Sequence, residues 1–209
     1  MSTSEFGYIP ESPEQSFGNN KGIFTPTDIY DLTRADKYTN YGQLELIETQ
    51  TVTSATTNID FIDIKEDIYD VHYLTVNNAE FQTNNSHIIT RLSNDNGSTF
   101  ESGNNYQLVG TNNGSDFNLF PATFMMYHSV SMGNLTGDNA NGYINFHNLG
   151  NSTKWSVCNS MFTQWDSQYY YLFGSGLYYQ TETMNAIRLT THNTTTWTGS
   201  FSLYGIRYS

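Results

Sequence analysis

Charge is what this sequence lacks most. Of 209 residues only 13% are Asp, Glu, Lys or Arg, and just eight of these are basic. Nucleic-acid binding draws most of its affinity from clustered Lys and Arg, so scattered cations in a chain of net charge −12 exclude nucleic acid as a partner. Cys158 is the single cysteine. No intramolecular disulfide and no thiolate-rich metal site can be built from it, and it reads as a small buried hydrophobe. No apolar run approaches the roughly 18 residues of a membrane helix. Glu5 and the absence of a basic leader give no secretory signal, so we expect a soluble chain made in a cytoplasm, without membrane insertion. Good helix formers are scarce too. Thr, Tyr, Phe and Ile, which suit a pleated half-buried surface, take their place, and the fold expected is all-β.

What is present is arranged unevenly. Fourteen of the twenty acidic residues lie at or before Glu80, which leaves the remainder of the chain nearly free of charge. Hydrated amides and hydroxyls must keep that surface soluble, or a partner must cover part of it. Three of the four prolines, Pro10, Pro13 and Pro26, fall in the first stretch, where apolar residues are spaced singly. We read residues 1–42 as an extended docking arm that drops Phe17, Ile23, Phe24, Pro26, Ile29 and Tyr30 into pockets of a neighbour. A short helix is predicted near 28–38, from the Ser/Thr-type cap before it and the spacing of Ile29, Leu32 and Ala35.

From residue 43 to 209 the pattern becomes short alternating strands divided by Asn/Gly-rich turns. Roughly ten strands are predicted, including 44–52, 58–64, 71–78, 123–132, 142–150, 154–163, 168–180 and the closing GSFSLYGIRY. That spacing predicts a single antiparallel β-sandwich, jelly-roll-like, rather than βαβ units. Asp95-Asn96-Gly97 reads as a hairpin turn rather than a calcium loop, since no Glu closes the loop at the right distance. The segments around Asn113 and over 137–142 read as loop tips.

The segments NNKGIFTPTDIYDL, YGQLELIETQTVTSATTNIDFIDI, RLSNDNGSTF and AIRL with TWTGSFSLYGIRYS resemble the virion structural proteins of marine cyanophages and related tailed phages. The likeness runs over most of the chain. That group has a short Gly-Ile/Val-Phe-Ser/Thr arm, matched at Gly22 to Thr25, and a β domain with a Gly-Ser, apolar, LYGI closure, matched at Gly199 to Ile206. Its members are labelled capsid-associated, neck or tail-fibre proteins. The resemblance implies a place on the virion surface, assembled in a bacterial cytoplasm, with other virion proteins as partners and a homo-oligomer, a trimer, as the working form.

Catalysis has little support. Asp60, Asp63, Glu66, Asp67 and Asp70 are the candidate carboxylates for glycoside hydrolysis, yet their pattern fits a strand exterior and a solvated turn. His72, His87, His128, His147 and His192 are never spaced as a metal pair, and no cofactor is expected. We expect a non-enzymatic protein. The notable cluster is 161–180, where Trp165, Tyr169, Tyr171, Tyr178 and Tyr179 crowd together with few charges. Core and subunit interface are the expected roles, with contact to host glycans as the alternative: aromatics on sugar faces beside amides for hydroxyls are how a carbohydrate platform is composed.

Overall fold

The computed structural model describes residues 15–16, 19–20, 25–35, 44–84, 86–129 and 132–207. The chain divides into two units, Met1–Tyr41 and Gly42–Ser209, each described here by itself. In the first, β1 (Gln15–Ser16) pairs with β2 (Asn19–Asn20), and α1 spans Pro26–Arg34. The helix starts two residues before the predicted range and ends four short of it. Thr25 sets the start: its side chain accepts from the Asp28 N–H while the Asp28 carboxylate accepts from the Thr25 N–H at 2.8 Å, a capping box with Pro26 in the first turn. Phe17, Ile23 and Phe24 lie outside the described residues.

The second unit is all-β. Its strands are β3 (Leu44–Thr56), β4 (Asn58–Ile62), β5 (Val71–Phe81), β6 (Ile88–Ser93), β7 (Tyr106–Asn112), β8 (Ser115–Ala122), β9 (Asn139–His147), β10 (Ser156–Asp166), β11 (Gln168–Tyr178), β12 (Ala186–Thr191) and β13 (Trp197–Ile206). They form two antiparallel sheets, one of eight strands in the order β3-β13-β5-β9-β10-β11-β7-β8 and one of three in the order β4-β12-β6. The alternation visible in sequence is the alternation observed. On β5, Leu74 and Val76 are buried while Tyr73 and Thr75 are half-exposed, and on β13 Phe201, Leu203 and Gly205 face the core. On the inner face of the large sheet, Trp197 is fully buried and packs on Phe81 and Phe201 at ring separations of 5.9 and 4.9 Å. Burial of each such ring contributes roughly 2–3 kcal/mol. The sheets are also tied by a hydrogen bond from the Leu92 N–H of β6 to the Tyr106 hydroxyl of β7, 3.2 Å long.

One local expectation holds and two change. The chain around Asn113 is the turn of the β7–β8 hairpin, with Asn113 and Gly114 both at positive φ (47° and 84°), as a two-residue loop of the primed kind demands. Residues 139–142 belong to β9 rather than to a loop tip. The Asp95-Asn96-Gly97 turn opens no hairpin, because the Asp95 side chain holds the chain in a wider bend. It accepts from the Thr99 N–H and hydroxyl at 2.8 and 2.7 Å and from the Ser93 hydroxyl at 2.7 Å, bonds that bring its carboxyl down to about 2. The next strand, β7, then joins the other sheet.

Residues 123–129, with Met132, were expected as a strand and run instead as an irregular strip along β6. The N–H groups of Met125, His128 and Met132 donate to the carbonyls of Thr90, Ile88 and Ser86. These spacings of three and four residues break strand register. Phe124, Met125 and Met126 are consecutively buried, so the strip plugs the mouth between the sheets instead of lining one face.

On the exterior of the small sheet, Arg188 of β12 grips Asp60 of β4 through two bonds of 2.6 Å and lies 4.0 Å above the Phe100 ring. Arg91 stands directly across the strand pair from Arg188, so Asp60 also offsets two like charges. Both partners of the pair are about a quarter to a third exposed, and solvent screens it accordingly. Replacing Arg188 with Ala is expected to cost about 1–2 kcal/mol, read as a lower urea midpoint, with Arg188→Lys recovering less than half because the fork and the ring stacking are both lost.

Candidate functional site

Strand register lays the outward side chains of the eight-stranded sheet in rows. One row runs from β3 to β8 through Leu46, Tyr204, Tyr73, Asn145, Asn159, Ser175, Val109 and Asn118. The next runs through Thr49, Ser202, Thr75, Tyr143, Met161, Phe173, Thr111 and Asp116. Among these residues Asp116 is the one charged side chain. An open sheet face usually mixes Lys and Glu into such positions; here amides, hydroxyls and aromatic rings fill them.

The two halves of the face differ. Towards β3 it is a hydroxyl surface, where Thr49 and Ser202 bond each other at 2.9 Å and Thr75 donates to the Ser202 carbonyl. Towards β11 it is aromatic. Trp165, Tyr169 and Phe173 are 49%, 63% and 50% exposed, and Tyr171 stacks nearly parallel on Phe173 at 6.1 Å. Trp165 and Tyr169 are cross-strand neighbours next to Ser167, whose positive φ of 58° makes the connecting turn. Between the halves, Asn145 donates to Asn159 at 3.1 Å, and the Asn159 amide meets His147 at 3.2 Å. Over β10, β11 and β7 the face sinks into a hollow of about 550 Å³, lined by Val109, Thr111, Asp116, Tyr143, Asn159, Met161, Phe173 and Ser175.

The aromatic cluster read from the sequence is therefore split by strand parity. Trp165, Tyr169 and Tyr171 point outward and belong to no core. Tyr178 is buried, ring to ring with Tyr106 at 5.0 Å and its hydroxyl on Glu182, so it serves the core and reaches no surface partner. Tyr179 stands at the sheet's end beside Phe120, its hydroxyl on the Asn104 carbonyl. Phe173, Met161, Tyr143 and Val109 join the face without having been singled out in sequence. The signal for Phe173 was there: it shares the odd parity of Tyr169 and Tyr171 along one strand.

The other candidates separate. Asp63 pairs with Lys65 on the surface at 2.7 Å. Glu66, Asp67 and Asp70 line a second, polar hollow of about 460 Å³ together with Tyr69, His147 and Lys154. Among the described residues no three His, Cys, Asp or Glu side chains gather closely enough to hold a metal ion. His72 and His128 are core residues: burial holds them neutral, down to about 4 and about 3. His87 packs against Tyr127 with the rings tilted, 4.8 Å between centroids, and is likewise lowered by burial. Cys158 is fully buried, and burial pushes its thiol up to about 12, so it is no nucleophile. Among the described residues no helix is long and apolar enough to cross a membrane.

No family model matches the chain, and no curated protein and no solved structure is significantly similar to it.

Proposed function

We propose that this chain is a non-enzymatic structural component of a tailed-phage particle, displayed on the virion surface, that docks through its N-terminal arm and self-associates through its β domain. The observation that carries the docking half is α1. It has a complete capping box, yet none of its residues is buried, and Ile29 and Tyr30 are 37% and 64% exposed. A nine-residue helix gains too little from its own hydrogen bonds to persist on propensity alone, so a helix of this length needs a surface to pack against. A capped helix with an open Ile-Tyr edge is suited to the groove of a neighbouring capsid, neck or tail subunit. The likeness of NNKGIFTPTDIYDL and the LYGI closure to phage virion proteins supports the address.

Self-association is supported by β3. Among the described residues it pairs on one side only, with β13, and its thirteen residues include no Pro and no Lys; its two charges, Glu45 and Glu48, both lie in the first half, so the stretch from Thr49 to Thr56 is an unguarded edge. A homotrimer joined along such edges would multiply weak arm contacts through effective concentration.

In particles assembled with the full chain carrying Ile29→Ser and Tyr30→Ser, incorporation is expected to fall at least about tenfold, as is that of a chain lacking residues 1–41. Circular dichroism and the oligomer mass should stay unchanged. Normal incorporation of both variants would overturn the docking role.

A further inference from the structure

We propose that the hollow on the outer face of the large sheet is a binding site for neutral oligosaccharides. This goes beyond the docking role and uses none of its residues.

Shape is the first ground. The hollow is shallow and open, and its roughly 550 Å³ gives room for about two or three sugar rings lying along the sheet face, the way an extended saccharide is bound rather than a small enclosed ligand.

Chemistry is the second. Met161 and Phe173 are direct cross-strand partners, and Tyr143 is the partner of Met161 on the other side, which makes an apolar strip for the C–H faces of pyranose rings. The neighbouring row supplies Asn159 and Ser175, one strand spacing of about 4.8 Å apart. Hydrogen-bonding groups at that pitch alternate with rings as hydroxyls alternate with C–H faces on a sugar. Asn159 accepts from Asn145 and meets His147, and Ser175 donates to the Cys158 carbonyl at 2.8 Å, bonds that fix both side chains and leave their remaining lone pairs and one amide N–H for sugar hydroxyls.

Charge is the third. No Lys or Arg lines the hollow, and Asp116 is its one ionised group. A carboxylate accepts from two vicinal hydroxyls and repels carboxylate or sulfate, so the ligand is neutral and rich in O–H donors. Tyr171, stacked on Phe173, continues the strip towards Trp165 and Tyr169, so longer chains bind more tightly than trisaccharides.

The test is calorimetric titration of the full chain with maltotriose, cellotriose, tri-N-acetylchitotriose and β-1,4-galactotriose, each beside its carboxylated counterpart. At least one neutral trisaccharide is expected to bind with Kd of about 1 mM or tighter, and its carboxylated form about tenfold more weakly. Phe173→Ala and Asp116→Asn should each weaken binding about tenfold. Ser175→Trp, which fills the hollow from an outward position, should abolish binding while leaving circular dichroism and particle incorporation unchanged. Three results would overturn the proposal: no binding by any neutral trisaccharide, binding that survives Ser175→Trp, or a sugar-indifferent oligomer that Phe173→Arg dissociates, which would make the face a subunit contact. The incorporation assay on Ile29 and Tyr30 is read separately, so failure of either reading leaves the other standing.

Discussion

Acidification from about pH 7 to about pH 5 is expected to destabilise the β domain by about 4 kcal/mol. His72 and His128 are 1% and 0% exposed. Each uses one ring nitrogen, His72 Nε2 on the Ile64 carbonyl at 2.9 Å and His128 Nε2 on the Thr90 hydroxyl at 2.5 Å. Their second nitrogens have no hydrogen-bond partner, so nothing nearby would stabilise an added proton. Burial lowers their folded values to about 4 and about 3, while the unfolded chain takes up protons near 6.5. Below that value the unfolded state therefore binds more protons than the folded one. Stability present above about pH 6.5 is lost as the pH falls towards the folded values, at about 1.4 kcal/mol per unit per group, or about 2 kcal/mol each by about pH 5. Urea unfolding at a series of pH values measures the slope directly. His128→Gln should remove about half of it, and a flat profile between about pH 7 and about pH 5 would show the burial reading to be wrong.

Gly176→Ala is expected to cost about 3 kcal/mol, or roughly 10 °C in Tm for a domain of this size. Gly176 faces inward on β11, and a Cβ there would stand far inside van der Waals contact of the Met125 carbonyl oxygen. That obstacle is backbone. Met125 cannot swing aside, because its N–H is fixed to the Thr90 carbonyl at 2.8 Å. The irregular strip would have to lift off β11, and its buried residues Phe124, Met125 and Met126 would lose their seat. Ser175→Ala, one residue away but outward, is the control: it loses only the hydroxyl's 2.8 Å bond to the Cys158 carbonyl and should cost no more than about 1 kcal/mol. A scan in which both variants melt with the wild type would mean that the strip is not a fixed part of the fold.

Much of this architecture was legible in the sequence because alternation is a property of each strand alone. β5, β10, β11 and β13 announce their buried faces residue by residue. What stayed hidden depended on distant groups. The Asp95 bend has the composition of a hairpin turn, and only its side-chain bonds to Thr99 and Ser93, with the Asn96 amide nitrogen held by Asn185 Oδ1, divert the chain to the other sheet. The strip at 123–129 has apolar residues enough for a strand, but its register is set by β6 and its seat by a glycine some fifty residues later. The candidate site was half legible. Crowded aromatics marked the place, and strand parity decided which of them reach solvent. The hollow itself comes from five strands brought side by side, a placement no local pattern encodes.

The order of the large sheet also has a temporal side. Among the described residues β3 has one ladder partner, and that is β13, the last strand in chain order. As the polypeptide emerges from the ribosome, β3 has no ladder partner until β13 has been made, since β13 lies between it and β5 in the sheet. Closing the large sheet is thus a late, non-local step in folding. A chain that stops shortly before Trp197 leaves β3 without a ladder partner and the large sheet unfinished.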